Sequence, residues 1–111
     1  QKHVIVPYAF DTNDMRFLSN GNFSNANDFA DYCINAIDWL WLEGERLPKM
    51  LSIGLHLRII GRPARILGLK KILEHIERKG EIWVARRDSI ASHWRMISGL
   101  KPFNNNDEVL S

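Results

Sequence analysis

Two residues of types that carry out proton transfer lie beside apolar segments of this 111-residue chain. His56 stands near the end of an apolar segment at residues 49–57, and Asp11 follows another at residues 3–8. An imidazole has an ordinary pKa of about 6.5, close to working pH, and therefore suits proton transfer. A carboxylate opposite the ring could orient it or hold its proton. Residue types alone also allow a plainer interpretation, in which His56 is only a polar residue where a buried strand meets water.

The elements that must position these residues alternate between strand and helix patterns. Such alternation indicates βαβ crossovers and a parallel sheet, in which active sites gather beyond the carboxyl ends of the strands. Three strand-helix units are few for a complete fold, so we expect the chain to be part of a larger α/β domain. The predicted strands are residues 3–8, 49–57 and 81–87, and the predicted helices are residues 27–43, residues 63–79 and a third that Asp88 caps.

The first helix is marked by both its caps and its apolar period. Asn25 or Asn27 can cap its start, and Gly44 ends it. Five apolar residues recur at helical spacing and predict one buried face. They are Phe29, Cys33, Ala36, Ile37 and Leu40.

The bulk composition excludes several classes of protein. Apolar residues make up 45% of the chain and charged residues 25%, which is typical of a globular domain rather than of a disordered one. The formal charge of +2 is too small to predict a polyanionic partner such as nucleic acid. No apolar run approaches the roughly 20 residues that a membrane helix needs. The single cysteine, Cys33, cannot form an internal disulfide, which favours a reducing, cytoplasmic location.

Motifs for metal and nucleotide binding are absent from the sequence. It contains no His-x-x-x-His, Cys-x-x-Cys or His-Glu-x-x-His pattern, and neither a Gly-x-Gly-x-x-Gly motif nor a P-loop. We therefore predict no metal site and no cofactor within this chain.

Three segments carry a resemblance to a known family. They read VPYAFDTNDMRF, RLPKMLSIGLHLRIIGRPAR and EIWVARRDSIASHW, and they lie within about residues 3–95. Together, and in this order, they resemble the C-terminal half of the polysaccharide deacetylase superfamily. The branch they resemble most is the metal-independent allantoinase of bacterial purine catabolism. The resemblance implies an α/β fold: the C-terminal portion of a distorted (β/α) barrel, about three βα units with parallel strands, whose rim carries the active site.

The resemblance also implies roles for particular residues. The family's late Asp motif is followed after four residues by Trp, and here Asp11 matches the Asp while Met15 replaces the Trp. The family's Leu-x-His supplies a histidine that acts as general acid, and here His56 matches that histidine while Gly54 replaces the Leu. Both departures favour the allantoinase branch over a sugar deacetylase.

Other parts of the family pattern do not occur here. The family's N-terminal half supplies an Asp-Asp motif, which holds the base and a metal ligand, and a His-x-x-x-His pair. Neither is found in this sequence. We therefore expect residues 1–100 to be the C-terminal part of a longer catalytic domain, followed by a polar tail at residues 101–111. Alone, the chain should hold the acid side of the site and no base.

The function implied is the hydrolysis of a C–N amide bond, with allantoin opened to allantoate. Water attacks the carbonyl, and His56 donates a proton to the leaving nitrogen while Asp11 orients the ring or balances its charge. Arg62 could equally pin the turn before Pro63. The candidate substrate contacts are Asn13, Asp14, Arg58 and Arg62.

Two alternatives stay open at this point. In the first, the whole protein removes acetyl groups from an N-acetylated sugar polymer such as peptidoglycan or chitin, and holds a divalent metal such as zinc through ligands outside this chain. In the second, the chain is a non-catalytic module whose basic rim binds an anionic ligand. The expected partner is a small cyclic ureide in the preferred interpretation, with no nucleic acid and no membrane.

Association with a second copy is also predicted. Trp39, Trp41 and Leu42 lie off the main apolar face of the first helix and predict a second packing surface. Aromatic residues are favoured at the centres of interfaces, and two-fold self-association is the commonest form. We therefore expect a homo-oligomer, or pairing with the N-terminal half of the longer protein, through an exposed strand edge and these tryptophans.

Overall fold

Helices account for most of the regular structure. The computed structural model describes residues 3–18 and 20–100, together with the backbone of Val109 and Leu110. The chain divides into two compact units, Ala9–Ile82 and the combination of Gln1–Tyr8 with Trp83–Ser111. In chain order the elements are β1 (Val4–Ile5), a 3-10 helix (Asp14–Phe17), α1 (Ala26–Glu43), α2 (Leu57–Ile60), α3 (Pro63–Lys79), α4 (Arg87–Ile97) and β2 (Val109–Leu110).

Helix α1 begins at Ala26, one residue before its predicted start, and its first turn is capped reciprocally. The Asp28 N–H donates to the Asn25 side chain at 3.1 Å, and the Asn25 N–H donates to the Asp28 carboxylate at 2.9 Å. This capping box satisfies donors that a helix start otherwise leaves unpaired. The helix ends at Gly44, whose N–H donates to the Leu40 carbonyl at 2.8 Å. Of the two predicted caps, Asn25 and Asn27, the helix uses Asn25, and the predicted end at Gly44 is confirmed.

Helix α3 has the predicted bounds as well. Pro63 occupies its first position, where a missing N–H costs nothing and the fixed φ suits the helix. Gly80 ends it with a φ of +70°, a conformation that glycine adopts without strain. The prediction of a helix from Pro63 to a stop at Gly80 is confirmed.

Helices α1 and α3 pack side by side in the same direction. Gly68, in the first half of α3, approaches the backbone of Ala26 at the start of α1. His75, further along α3, contacts Asp38 in the second half of α1. Contacts therefore follow the same order along both helices, as in successive βα units. The apolar core of this unit comprises Phe17, Phe23, Phe29, Ala30, Cys33, Ile37, Ile59, Ile60 and Ile72.

A short parallel ladder joins the segment before α1 to the segment before α3. Asn13 and Gly54 form a parallel bridge. The Gly54 N–H donates to the Thr12 carbonyl at 2.9 Å, and the Asp14 N–H donates to the Gly54 carbonyl at 3.0 Å. The Thr12 hydroxyl extends the ladder by donating to the Ser52 carbonyl at 2.7 Å. The pairing is thus parallel. Its Gly54 side lies within the predicted strand at residues 49–57, whereas its Thr12–Asp14 side lies beyond the predicted strand at residues 3–8.

The predicted strand at residues 49–57 is wrong as an extended element. Only Gly54 takes part in a bridge, and Leu57 already begins α2. A strand is defined by hydrogen bonds to a neighbouring strand, and within the described part of the chain one position of this segment has such a neighbour. His56 therefore follows a parallel bridge by two residues rather than ending a long strand.

The other unit contains β1, α4 and β2. Strand β1 pairs in parallel with β2, with Val4 opposite Val109 and Ile5 opposite Leu110. The first strand, predicted at residues 3–8, is thus confirmed only at Val4–Ile5. Its partner is β2, whereas short crossovers between successive strands would place it beside the predicted strand at residues 49–57. Val4, Val6 and Ala91 form a small buried cluster within this unit.

The predicted strand at residues 81–87 is also wrong. Residues 80–86 have no regular structure, and Arg87 begins α4. The N-cap is Arg86 and not Asp88 as predicted; Asp88 lies in the first turn and forms an ion pair with Arg86 at 3.1 Å. Strand-forming residue types are not sufficient to form a strand here, because no other segment of the described residues pairs with residues 81–86.

Residues 101–108 and 111 of the predicted polar tail lie outside the described residues. Within residues 3–18 and 20–100, no helix combines the length and the apolar character needed to cross a membrane.

Candidate active site

The centre of the site is a hydrogen-bonded pair formed by Asp14 and His56. The Nδ1 atom of His56 lies 2.7 Å from Oδ1 of Asp14. The Asp14 side chain is fully buried, whereas one third of the His56 side chain is exposed. An ionised carboxylate only accepts hydrogen bonds, so Nδ1 carries the proton and Nε2 is left to exchange one with a substrate.

The second oxygen of the Asp14 carboxylate holds the backbone around the histidine. Oδ2 accepts from the His56 N–H at 2.6 Å and from the Ile60 N–H at 3.2 Å. Oδ2 of Asp14 thereby caps the N-terminus of the short helix α2, while Oδ1 accepts the hydrogen bond from the His56 ring. Three donors offset the cost of burying a carboxylate, which would be severe for an unpaired one.

The backbone around Asp14 explains why this carboxylate reaches His56. Asn13 is the N-cap of the 3-10 helix, and its side-chain oxygen accepts from the Met15 N–H at 2.9 Å. Its amide nitrogen donates to the Ala9 carbonyl at 3.1 Å. The bridge between Asn13 and Gly54 then brings Asp14 beside the segment that carries His56.

Asp11, the predicted catalytic carboxylate, takes a different partner. Its Oδ2 accepts a hydrogen bond from the Tyr32 hydroxyl at 3.1 Å, and its side chain lies at the surface. The structure therefore pairs His56 with Asp14 in place of Asp11. The tight turn that starts at Asp14 is the physical reason, because it directs Asp14 inward while Asp11, three residues earlier, stays outside.

The four predicted substrate contacts divide into two groups. Asn13 and Asp14 are buried, and their polar atoms are engaged within the protein. Arg58 and Arg62 are exposed. Arg62 is the N-cap of α3 and makes no side-chain capping bond, so its backbone rather than its guanidinium marks the turn before Pro63.

Sequence reasoning missed the role of Asp14 and the participation of Arg16 and Tyr32. Asp14 shares its residue type with Asp11 and lies three positions away, so residue types alone could not rank the two carboxylates. Arg16 stacks on the Tyr32 ring, with Cζ 4.5 Å from the ring centroid. No short-range pattern signals this contact, because it joins the 3-10 helix to the middle of α1.

Among the described residues, no group of three or more His, Cys, Asp or Glu side chains is arranged to hold a metal ion.

Comparisons with known proteins agree with the resemblance of the three segments. No family model matches the chain. A curated protein of Schizosaccharomyces pombe (strain 972), whose name places it provisionally among the polysaccharide deacetylases, is 48% identical over 92 residues. The match covers 82% of this chain and 29% of that protein.

Two solved structures are similar to this chain in both sequence and fold. The crystal structure of PuuE allantoinase has a TM-score of 0.77 and 48% identity, covering 82% of this chain and 30% of that one. A probable polysaccharide deacetylase from Pseudomonas aeruginosa PAO1 has a TM-score of 0.82 and 45% identity, covering 86% of this chain and 32% of that one. The chain therefore spans about a third of the length of the relatives it matches. With near-half identity in sequence and a shared fold over most of its length, the chain belongs to the polysaccharide deacetylase family.

Proposed function

We propose that this chain supplies the proton-donating side of the active site of a hydrolase that cleaves C–N amide bonds. The observation that carries the proposal is the buried Asp14 carboxylate on Nδ1 of the partly exposed His56. Membership of a family whose relatives include an allantoinase and a probable polysaccharide deacetylase supports the reaction class.

The geometry fits a general acid. With Nδ1 donating to Asp14, protonation occurs at Nε2, and the resulting imidazolium lies against a carboxylate that stabilises its charge. A water molecule attacks the substrate carbonyl and loses its proton to a base outside this chain. As the C–N bond breaks, Nε2 of His56 transfers its proton to the leaving nitrogen, and the ring returns to the neutral form.

Allantoin, opened to allantoate, is the substrate we propose. Two departures from the deacetylase pattern support it, namely Met15 in place of Trp and Gly54 in place of Leu. The similarity to PuuE allantoinase supports it as well. Hydrolysis of an N-acetylated sugar is the second candidate, supported by the TM-score of 0.82 with the Pseudomonas aeruginosa protein. In that case a divalent metal would be held by residues outside this chain.

The test is turnover by the whole enzyme that contains this segment, assayed on allantoin and on an N-acetylglucosamine oligomer, with and without a chelator. We expect allantoin hydrolysis that a chelator does not abolish. Hydrolysis of the sugar alone, lost with the chelator, would replace allantoin by the second candidate. The 111-residue chain by itself is expected to show no turnover, because acid and base act together.

His56→Ala should lower kcat by a factor of at least about 100, the usual contribution of a general acid. His75→Ala is the matched control, because His75 is also bound to a carboxylate, Asp38, at 2.7 Å, but on helix α3. Loss of activity in both variants, or in neither, would contradict the assignment of His56.

A further inference from the structure

The geometry points to Arg16 and Tyr32 as positioning residues for the Asp14–His56 pair. We call Arg16, Tyr32, Phe23 and Asp11 the clamp. The inference rests on the proposed function, since it concerns the same proton donor. It goes further by assigning the orientation of the histidine to a cluster that provides none of the hydrogen bonds to His56 described above.

Arg16 closes the segment that carries Asp14. Its Nε donates to the Gly21 carbonyl at 3.1 Å, and its Nη1 donates to the Asp11 carbonyl at 3.3 Å. Its own carbonyl accepts from the Phe23 N–H at 2.8 Å. One side chain thus joins the chain before Asp14 to the chain after it, across a turn that contains Asp14 itself.

Tyr32 attaches this closed segment to helix α1. The Arg16 Cζ lies 4.2 Å from the Phe23 ring centroid and 4.5 Å from that of Tyr32, so the guanidinium contacts two aromatic rings. The Tyr32 hydroxyl donates to the Asp11 carboxylate at 3.1 Å. The neighbouring residue in α1, Cys33, is fully buried in the core, so the Tyr32 side chain extends from a well-packed part of the helix.

The clamp matters to chemistry because the Asp14–His56 contact joins two separate segments. The bridge between Asn13 and Gly54 fixes the position of the backbone just before Asp14. The orientation of the 3-10 helix, and with it the direction of the Asp14 side chain, depends on the contacts at the C-terminal end of that helix. Arg16 lies in the last turn of that helix and is the residue through which the clamp acts. A small rotation of the carboxylate would lengthen its bond to Nδ1 and allow the ring to adopt its other tautomer.

The test reads the tautomer of His56 directly in the 111-residue chain by ¹⁵N NMR. His75 provides an internal reference, because it contacts Asp38 through Nε2 whereas His56 contacts Asp14 through Nδ1. The wild-type chain should therefore show the two histidines as opposite tautomers. Tyr32→Phe removes one hydroxyl and keeps the ring, so it loosens the clamp with little change to the core.

In Tyr32→Phe we expect the ratio of the Nε2–H to the Nδ1–H form of His56 to rise by a factor of between about two and about five, the upper value being the full effect of losing one ordinary hydrogen bond. His75 should not change. Arg16→Lys, which keeps the charge but loses the planar fork, should shift His56 in the same direction. Trp41→Phe is the matched control: it removes a hydrogen bond of the same helix, from Trp41 Nε1 to the Gly80 carbonyl at 3.2 Å, and should leave His56 unchanged.

Two results would overturn the inference. One is a wild-type tautomer ratio for His56 in Tyr32→Phe, which decides the question even if Arg16→Lys fails to fold. The other is an equal shift in Trp41→Phe, which would show general loosening instead of positioning. Neither result bears on whether His56 donates a proton in turnover, which the activity of His56→Ala tests separately.

Discussion

Asp14 performs two tasks through its two carboxylate oxygens. Oδ1 holds the His56 ring, and Oδ2 holds the backbone N–H groups of His56 and Ile60. Removing a buried carboxylate leaves its buried donors unpaired, and this costs far more stability than removing a carboxylate at the surface. The two aspartates of this segment should therefore differ sharply when they are removed.

Asp14→Ala is expected to lower the free energy of unfolding by about 3 kcal/mol, because it removes the acceptor of both the His56 N–H and the His56 ring, whereas the Ile60 N–H keeps the His56 carbonyl at 3.0 Å. Asp11→Ala removes one exposed hydrogen bond, from Tyr32, and should cost less than about 1 kcal/mol. Urea unfolding of the two variants measures the difference. Equal losses would contradict the assignment of Asp14 as the buried partner.

The buried thiol of Cys33 makes the free energy of unfolding depend on pH in the alkaline range. Burial, with a smaller contribution from the charge of Asp11, raises the pKa of its thiol from 9.0 to about 12. A pKa raised on folding means that the native state retains a proton which the unfolded state loses. The stabilisation is therefore complete below about pH 9 and is lost as pH rises towards 12.

We therefore expect the stability difference between the wild-type chain and Cys33→Ala to be constant from pH 6 to about pH 8, near and below the ordinary thiol pKa, and to shrink above about pH 9. Unfolding of both proteins in urea across this range is the measurement. The variant corrects for the lysines and tyrosines that titrate in the same range. A constant difference up to pH 10.5 would show that the thiol ionises freely in the native state.

At the scale of elements, the parallel helices α1 and α3 pack against the segment that follows His56, because Ile59 and Ile60 share their apolar core. The two helices approach closely at Gly68, and they are joined further along by Asp38, which contacts both His75 and Lys79. These hydrogen bonds hold the pKa of the Asp38 carboxyl below its ordinary value of 3.8, with His75 as the main cause. The close approach at Gly68 is the feature most sensitive to a single added carbon.

Gly68→Ala should lower the free energy of unfolding by about 2 kcal/mol, because a Cβ there would lie 2.7 Å from the Ala26 carbonyl oxygen and force the helices apart. Gly44→Ala is the control. Gly44 has right-handed helical backbone angles, and its nearest contacts, at 3.2 and 3.3 Å, are to carbonyls of its own helix. It should cost less than about 1 kcal/mol. A neutral or stabilising Gly68→Ala would show that the helices can separate freely.

At the scale of the whole molecule, the end of α1 and the turn after it carry three exposed apolar side chains. Trp39, Leu42 and Leu47 are 65%, 56% and 64% exposed. Trp41, which was predicted to belong to this surface, instead donates its Nε1–H to the Gly80 carbonyl and contacts Lys79. The association surface we propose is therefore formed by Trp39, Leu42 and Leu47, without Trp41. Exposed apolar side chains that line one shallow depression, here beside Glu43, Arg46 and Lys49, favour contact with another protein surface.

Sedimentation equilibrium of the 111-residue chain should show self-association in the micromolar range, a typical strength for a small apolar interface. Trp39→Ser should weaken it about tenfold, as the loss of a central aromatic contact does. Trp83→Ser is a matched control, since Trp83 is 60% exposed and belongs to the other compact unit. A monomer at every concentration tested, or an equal effect of both substitutions, would contradict this surface as the interface.

The helices and the family could be predicted from the sequence because both depend on local signals. Each hydrogen bond of a helix joins residues four apart, so Asn25, Asp28 and Gly44 define α1 without reference to the rest of the chain. The three segments that resemble the polysaccharide deacetylases are likewise continuous in sequence. His56, a residue whose chemistry belongs to its type, could be singled out in the same way.

The strands and the partner of His56 depended on tertiary structure. A strand needs a neighbour from elsewhere in the chain, and only Val4–Ile5 with Val109–Leu110, and the single bridge at Asn13 and Gly54, have one among the described residues. Asp11 and Asp14 are chemically identical, and the turn that buries one and exposes the other is held by contacts 40 residues apart, from Thr12 to Ser52. Burial and long-range pairing are properties of the folded chain, so the choice of carboxylate could be made only there.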